Sequence, residues 1–267
     1  MTESFYIPLG DDRWRATVHT TGPWDARAQH GGPPSALLGR AIQRCAPRDD
    51  MIVARFTCEI LGAIPVGELE VRARVVRPGR SVELLEAVAS AGSRDVASAR
   101  AWRVLRTDSE SIGSRGAQPP GLPDDQAAGA PGETVAGPPG GWVDGYLSAV
   151  EWRPVKGSFG SPGPATVWAR LRYPLVAADD TGPLERVLAV ADSGNGLSSE
   201  LDITGWQFIN PELTVHLHRM AVGEWICLDA ATAISAGGAG LATSALYDLD
   251  GPLGAGAQSL LVARRRG

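Results

Sequence analysis

The stretch LAVADSGNG, residues 188 to 196, places one carboxylate, Asp192, at the end of an apolar run and beside Gly194 and Gly196. Two roles are open to it. Its oxygens can satisfy nearby backbone N–H groups and close a turn. With suitable partners it can instead take a proton from a water molecule. The partner candidates are amides: Asn210 opens the run NPELTVHLHR, and Gln258 sits within an apolar final segment, where a buried carboxamide must be hydrogen-bonded. An Asp, an Asn and a Gln converging on one water would orient it and accept its proton, while other donors polarise a carbonyl.

Those donors could come from HGGPPSALL, residues 30 to 38. Gly31 and Gly32 let the backbone pass close to a ligand, and the prolines that follow leave few N–H groups in the first helical turn. The N–H groups near Gly31 and Gly32 could then face an oxygen carrying negative charge. The alternative is a tight helix entry with His30 on the surface. Neither a GxSxG elbow, an HExxH pair nor a paired CxxC competes for the chemistry. His216 and His218 share one face of a strand at i, i+2 spacing, but no third ligand lies near them in sequence, so they read as polar strand positions and no metal is expected. Cys45, Cys58 and Cys227 are odd in number and lack metal-like spacing, which fits reduced, packed thiols.

The elements that must hold these residues come in two similar blocks. The first has a helix over 30–43 and then the strand-like runs MIVARFTCEIL, GELEVRARVVRPG, SVELLEAVAS and ASARAWRVLR. In the second, a helix near PLERVLAVAD precedes FINPELTVHLHR, GEWICLDAATAIS, GLATSALYDL and GAQSLLVARR. Val66-Gly67-Glu68 answers Val222-Gly223-Glu224, a shift of 156 positions that also sets Trp102 against Gln258 and Leu105 against Leu261. A duplication is the reading this supports. A helix followed by an antiparallel sheet, twice, suggests two sheets that each wrap a helix and pair edge to edge, which removes exposed strand edges. Between the blocks, residues 108–141 are so rich in Pro, Gly, Ala and Ser that they read as a linker. The organisation expected is an N-terminal repeat over 1–107, the linker, and a C-terminal repeat over 142–267.

Composition narrows the classes. The chain has 43% hydrophobic and 21% charged residues, a net charge of −5, and a sequence pI near 5.4. That balance argues against a nucleic-acid partner, which needs an extended basic surface; the basic end ARRRG, Arg264 to Arg266, is the local exception and reads as a solvated tail that could touch an anionic ligand. No apolar run approaches the ~18 residues of a membrane span, and MTESFYIPLGDDRW has no signal-peptide pattern, so a cytoplasmic protein without a membrane partner is expected.

Taken in order, HGGPPSALLGRAI, EWRPV, LAVADSGNG, FINPELTVHLHR and AQSLLVAR resemble the acyl-CoA thioesterase II type, in the thioesterase-like superfamily. The resemblance covers nearly the whole chain and implies an α+β double hotdog fold and hydrolysis of acyl-CoA thioesters without a cofactor. It carries the family's Asp onto Asp192 and its Gln onto Gln258. The third member, a Thr in the best-known relatives, falls on Asn210, a departure from the pattern; Thr214 is the alternative. The resemblance also gives the HGG backbone the thioester oxygen and implies a homo-oligomer, a dimer or larger. An acyl chain needs an apolar tunnel, which Trp152, Phe159, Trp206 and Phe208 are candidates to line, with ordinary core aromatics as the alternative, and His30 is a candidate substrate contact. The first helix carries no carboxylate, so one working site per chain is expected. Hotdog enoyl-CoA hydratases pair an Asp with a His five residues later, where this chain has Leu197. A fatty-acyl binding protein without turnover is the non-enzymatic alternative.

Overall fold

The structure, a computed structural model, describes residues 3–113, 116–123 and 145–265. The first half contains β1 (Tyr6–Gly10), β2 (Arg13–Ala16), α1 (Gly32–Arg44), β3 (Met51–Ile60), β4 (Glu68–Arg77), β5 (Val82–Ala91) and β6 (Arg94–Leu105). The second contains α2 (Tyr146–Ala149), β7 (Val150–Lys156), β8 (Ala165–Leu171), α3 (Pro183–Ala191), α4 (Gly194–Leu197), β9 (Trp206–Ile209), β10 (Glu212–Leu217), β11 (Ile226–Ile234), β12 (Ala239–Asp248) and β13 (Gly251–Arg264). Most of the expected linker, including residues 124–141, lies outside the described residues. Of its described part, Leu122 packs against Trp168, Trp225 and Cys227.

The strands run in the order β1-β2-β4-β5-β6-β3-β10-β13-β12-β11-β8-β7, with β9 beside β13. The order reads the same outward from the β3–β10 junction on both sides. There the two halves pair antiparallel, Thr57 opposite Thr214, so the inner edge of each half-sheet is covered by the other. Two central helices, α1 and α3, lie in the curve of this sheet, and one continuous apolar cluster includes Leu37, Leu38 and Ile42 of α1 with Leu184, Val187 and Leu188 of α3. This is the α+β double hotdog that the resemblance implies.

The duplication holds, but its register is 157 and not 156. Leu85 pairs with Ala101 as Ala242 pairs with Gln258, and Val71 pairs with Ala89 as Leu228 pairs with Leu246. The counterpart of Gln258 is therefore Ala101, which is buried like it, whereas Trp102 faces outward under the Arg77 guanidinium. A slip of one residue exchanges the two faces of every strand, so the shorter shift would place an aromatic on the wrong side. The turn identity at Val66 and Val222 lies before β4 and β11, and one extra residue in the second half separates it from the strand register.

FINPELTVHLHR is not one strand. Pro211 has no N–H to give a ladder, and its carbonyl accepts from the Ile60 N–H at 2.7 Å, so the chain breaks into β9 and β10 at Asn210–Pro211. β10 meets β13 over Gly254–Ala257 and β9 meets it over Leu261–Arg264. The gap between the two pairings falls at Gln258, Ser259 and Leu260. Glu212 Oε1 takes the Ser259 N–H there at 2.6 Å, and the inward Gln258 is left for α3.

Candidate active site

Asp192 caps the C-terminal end of α3 and is 3% exposed. Helix α3 is apolar along most of its length, which draws it into the core and takes the terminal carboxylate with it. The acid group meets three elements. Asn210 Nδ2 donates to its Oδ1 at 2.7 Å, and Gln258 Nε2 donates to the same oxygen at 3.2 Å and to the Asp192 carbonyl at 3.0 Å. The Gly31 N–H also faces the carboxylate. The backbone of Asn195 donates to Gln258 Oε1 at 3.0 Å, which fixes the amide's orientation. Asn210 spends its second amide hydrogen on the Glu212 carbonyl at 3.1 Å, and the residue also lines the cavity.

Thr214, the alternative third member, donates to Glu212 Oε2 and sits 3.2 Å from Thr57 at the half-sheet junction, so the amide of Asn210 occupies the place beside Asp192. His216 and His218 are exposed.

The other oxygen, Oδ2, lies 3.2 Å from His30 Nδ1. His30 is held rather than loose on the surface: its ring stacks on Tyr146 with centroids 3.9 Å apart and planes at 12°. Tyr146 is itself anchored, donating to the Ala189 carbonyl at 2.8 Å. The Gly32 N–H donates to His30 Nδ1 at 3.1 Å, so that nitrogen carries no proton. Burial agrees, pushing the imidazole down to about 3. The contact between Oδ2 and Nδ1 is thus no ion pair. Burial pushes Asp192 up to about 7, against the opposing hydrogen bonds from Asn210, Gln258 and Gly31.

Gly31 and Gly32 serve close approach. A Cβ on Gly31 would lie 2.7 Å from Asp192 Oδ2, and one on Gly32 would lie 2.1 Å from the Ala189 carbonyl oxygen. Because Pro33 and Pro34 have no N–H, Gly31 and Gly32 supply the free donors at the start of α1, and both are engaged within the Asp192–His30 pair in this state.

A cavity of about 760 Å³ opens beside the pair. His30, Phe159 and Phe208 line it, with Trp24, Leu147, Leu201 and Ile203. Trp152 and Trp206 do not reach it: Trp152 backs Phe159 edge-on at 4.9 Å, and Trp206 lies under Arg264. Sequence reasoning missed Asn195 and Tyr146, which act on the site through a backbone N–H and a ring face. The SGNG that follows Asp192 was the only local signal for the first.

By the repeat, the second site would lie where Gly182 begins α3 beside the end of α1. Buried Arg40 fills that place, donating to Glu185 Oε1 at 2.9 Å and pairing with Asp179.

Comparison with known proteins identifies the family. The N-terminal domain of acyl-CoA thioesterases matches residues 20–104 and the C-terminal domain matches residues 120–262. No curated protein matches the chain. Among solved structures, a hot dog fold protein of unknown function from Alicyclobacillus acidocaldarius is 16% identical with a TM-score of 0.72, covering 97% of this chain and 96% of its own. The acyl-CoA thioesterase II TesB2 from Mycobacterium marinum is 17% identical with a TM-score of 0.62, over 98% and 96% of the two chains. The tesB protein of Mycobacterium avium subs paratuberculosis is 15% identical with a TM-score of 0.66, over 98% and 96%. At these identities the structures speak for the fold, and the two domain matches, which together span most of the sequence, speak for the family. The chain belongs to the acyl-CoA thioesterase family.

Proposed function

We propose that the protein hydrolyses acyl-CoA thioesters with Asp192 as general base and no covalent intermediate. The observation that carries this reading is the carboxylate held by Asn210 and Gln258 at the wall of an apolar cavity. Water bound between Asp192 and Asn210 Oδ1 attacks the thioester carbonyl carbon and gives its proton to the ionised carboxylate. The tetrahedral intermediate then expels the CoA thiolate, which takes that proton back as the free acid forms. The carbonyl oxygen competes for the Gly31 and Gly32 N–H groups at the positive end of α1. Taking the Gly31 N–H away from Asp192 leaves the carboxylate a free acceptor site for the water. The acyl group lies against Phe159, Phe208 and Leu201.

Release of free thiol from acyl-CoAs of increasing chain length, followed from pH 5 to 9, tests the reading. Asp192 must be ionised to act, and with its group pushed up to about 7 the value of kcat/KM should rise with pH and level off above that point. His30, pushed down to about 3, stays neutral across the range. A profile flat between pH 5 and 9, or no thiol released from any chain length, would remove Asp192 from the role of base.

Gly31→Ala isolates positioning. The backbone at Gly31 has φ −67° and ψ −20°, which alanine adopts without strain, so the substitution acts through its methyl group on Asp192 Oδ2. A displacement of this size should cost kcat about 10²-fold, with the unfolding temperature changed by only a few degrees. Wild-type kcat in this variant would mean that the carboxylate's position does not matter.

A further inference from the structure

Among the described residues the cavity is lined mainly by apolar groups and by no arginine, yet CoA carries three phosphates. Along much of the molecule the arginines are neutralised: Arg48 by Asp50, Arg74 and Arg100 by Glu86, Arg103 by Glu83, Arg219 by Asp248. The exceptions beside the cavity include Arg94, whose Nη2 donates to the Ala63 carbonyl at 3.3 Å, and two consecutive arginines at the end of β13. Arg264 and Arg265 are exposed and have no carboxylate within 4.0 Å among the described residues. Each guanidinium instead lies over an indole, Arg264 4.7 Å from the centroid of Trp206 and Arg265 5.2 Å from that of Trp24.

This corner is tied to the cavity wall. Trp24 lines the cavity and meets Phe208, another wall residue, edge-on at 5.1 Å. Leu261, also on the wall and 54% exposed, precedes Arg264 by three positions on β13, roughly 10 Å along the strand. The end of that strand is fastened: Arg264 pairs with Trp206 of β9, and the Arg265 N–H donates to the Gly205 carbonyl at 3.1 Å. The carboxylates at this rim are engaged elsewhere: Asp25, next to Trp24, accepts from the Arg27 guanidinium at 2.9 Å, and Asp202 is turned into its own loop, accepting from the Thr204 N–H at 2.8 Å and from its hydroxyl. Two stacked cations with unspent donors, beside aromatic faces at the end of an apolar channel, suit a phosphorylated nucleotide: guanidinium forks take phosphate oxygens and an indole edge or face takes the base.

We infer that Arg264 and Arg265, carried on Trp206 and Trp24, form the subsite for the phosphates of the CoA nucleotide. The assignment rests on the thioesterase reading and adds to it the direction of the bound substrate, with the nucleotide at the end of β13 and the thioester at Asp192.

The test compares three thioesters of one acyl group, carried on CoA, on 3′-dephospho-CoA and on pantetheine, with wild type and the Arg264→Ala/Arg265→Ala double variant. Both side chains are exposed, so folding should survive the change, and an unaltered unfolding temperature checks this. The expected result is a KM for the CoA thioester raised about tenfold or more, a smaller rise for the dephospho form, and no change for the pantetheine thioester or for kcat. The wild-type KM for the CoA thioester should also climb with salt, and the variant's should climb less. An equal rise for the pantetheine and CoA thioesters would overturn the inference and put the arginines against the acyl group. No change for any substrate would overturn it as well. If wild type releases thiol from none of the three, the thioesterase reading fails on its own, and calorimetric titration with CoA and with pantetheine then decides the subsite: CoA binding weakened in the double variant supports it, and CoA binding that is absent or unaltered overturns it.

Discussion

Asp192→Asn should lower the rate of thioester hydrolysis by about 10² to 10⁴-fold and at the same time stabilise the folded chain at neutral and alkaline pH. The loss of rate follows from removing the carboxylate that Asn210 and Gln258 hold; Asp25 and Asp202, also on the cavity wall, are bonded to Arg27 and Thr204. The gain in stability follows from the same burial that tunes the group. In the folded state Asp192 is pushed up to about 7 from an ordinary value of 3.8. Below pH 4 the carboxyl is protonated whether the chain is folded or not, and its contribution to stability is fully present. As pH rises through 7 that contribution is lost, because the folded state must then carry a buried charge that the unfolded chain solvates. The loss is on the order of 4 kcal/mol at its limit.

Asparagine avoids it. Its carbonyl can accept from Asn210 and Gln258 as Oδ1 does, and it carries no charge at any pH. The variant should therefore melt close to wild type near pH 4 and above it at pH 8, with the gap growing between. His30 works in the other direction for both proteins. Its folded value lies below its unfolded one, so its share of stability is present above pH 6.5 and lost as pH falls toward 3. Thermal melts of both proteins from pH 4 to 9, with hydrolysis measured on the same samples, check the two halves separately. A variant that loses activity but melts below wild type at pH 8 would mean that the carboxylate is stabilised by its partners and not strained by burial.

How far the sequence revealed this arrangement differs from residue to residue. Helices α1 and α3 and the strands β3 to β6 and β10 to β13 were legible because the helices are apolar on the faces they bury and the strands alternate or are richly β-branched; β1, β2, β7 and β8, which lie outside the two blocks, and the break between β9 and β10 were not. Asp192, Asn210 and Gln258 were legible because each is a polar type where apolar residues surround it, and the structure brings all three together. The repeat was legible, but its register was not. Identical residues in a turn before β4 and β11 outweighed the alternation that distinguishes inward Ala101 from outward Trp102, and a single added residue is invisible to short identities.

The state of His30 was out of reach as well. Nothing local says that a histidine before two glycines stacks on Tyr146, more than a hundred residues away, or that its Nδ1 takes the Gly32 N–H. The donors at Gly31 and Gly32 were identified by type, but sequence could not say that they already serve the Asp192–His30 pair. In each case the missing information was a long-range contact of a backbone group or a ring face, which leaves no pattern in residue types.

The ion network at the second repeat position should prove the largest single determinant of stability among the polar groups. Arg40 of α1 and Glu185 of α3 are 2% and 4% exposed, and the guanidinium reaches both carboxylate oxygens, at 2.9 and 3.1 Å. Glu185 Oε2 also takes the Gly182 N–H at 3.0 Å, capping the start of α3. Arg40→Met removes the cation and leaves Glu185 buried without it, which should cost about 3 to 5 kcal/mol, or roughly 10 °C in unfolding temperature for a chain of this size. Adding Glu185→Gln should recover most of that loss, since a neutral amide can keep the cap on Gly182 and leaves no charge stranded. The coupling between the two substitutions would then be strongly favourable. Additive losses in the double variant would mean that the pair stabilises by its attraction, and not that a lone buried charge is what destabilises. Hydrolysis at 25 °C should be near wild type in both variants, because Arg40 faces the start of α3 while Asp192 works at its other end. A fall in kcat as large as that of Gly31→Ala would instead show that this network sets the approach of α1 to α3, and with it the distance from Gly31 to Asp192.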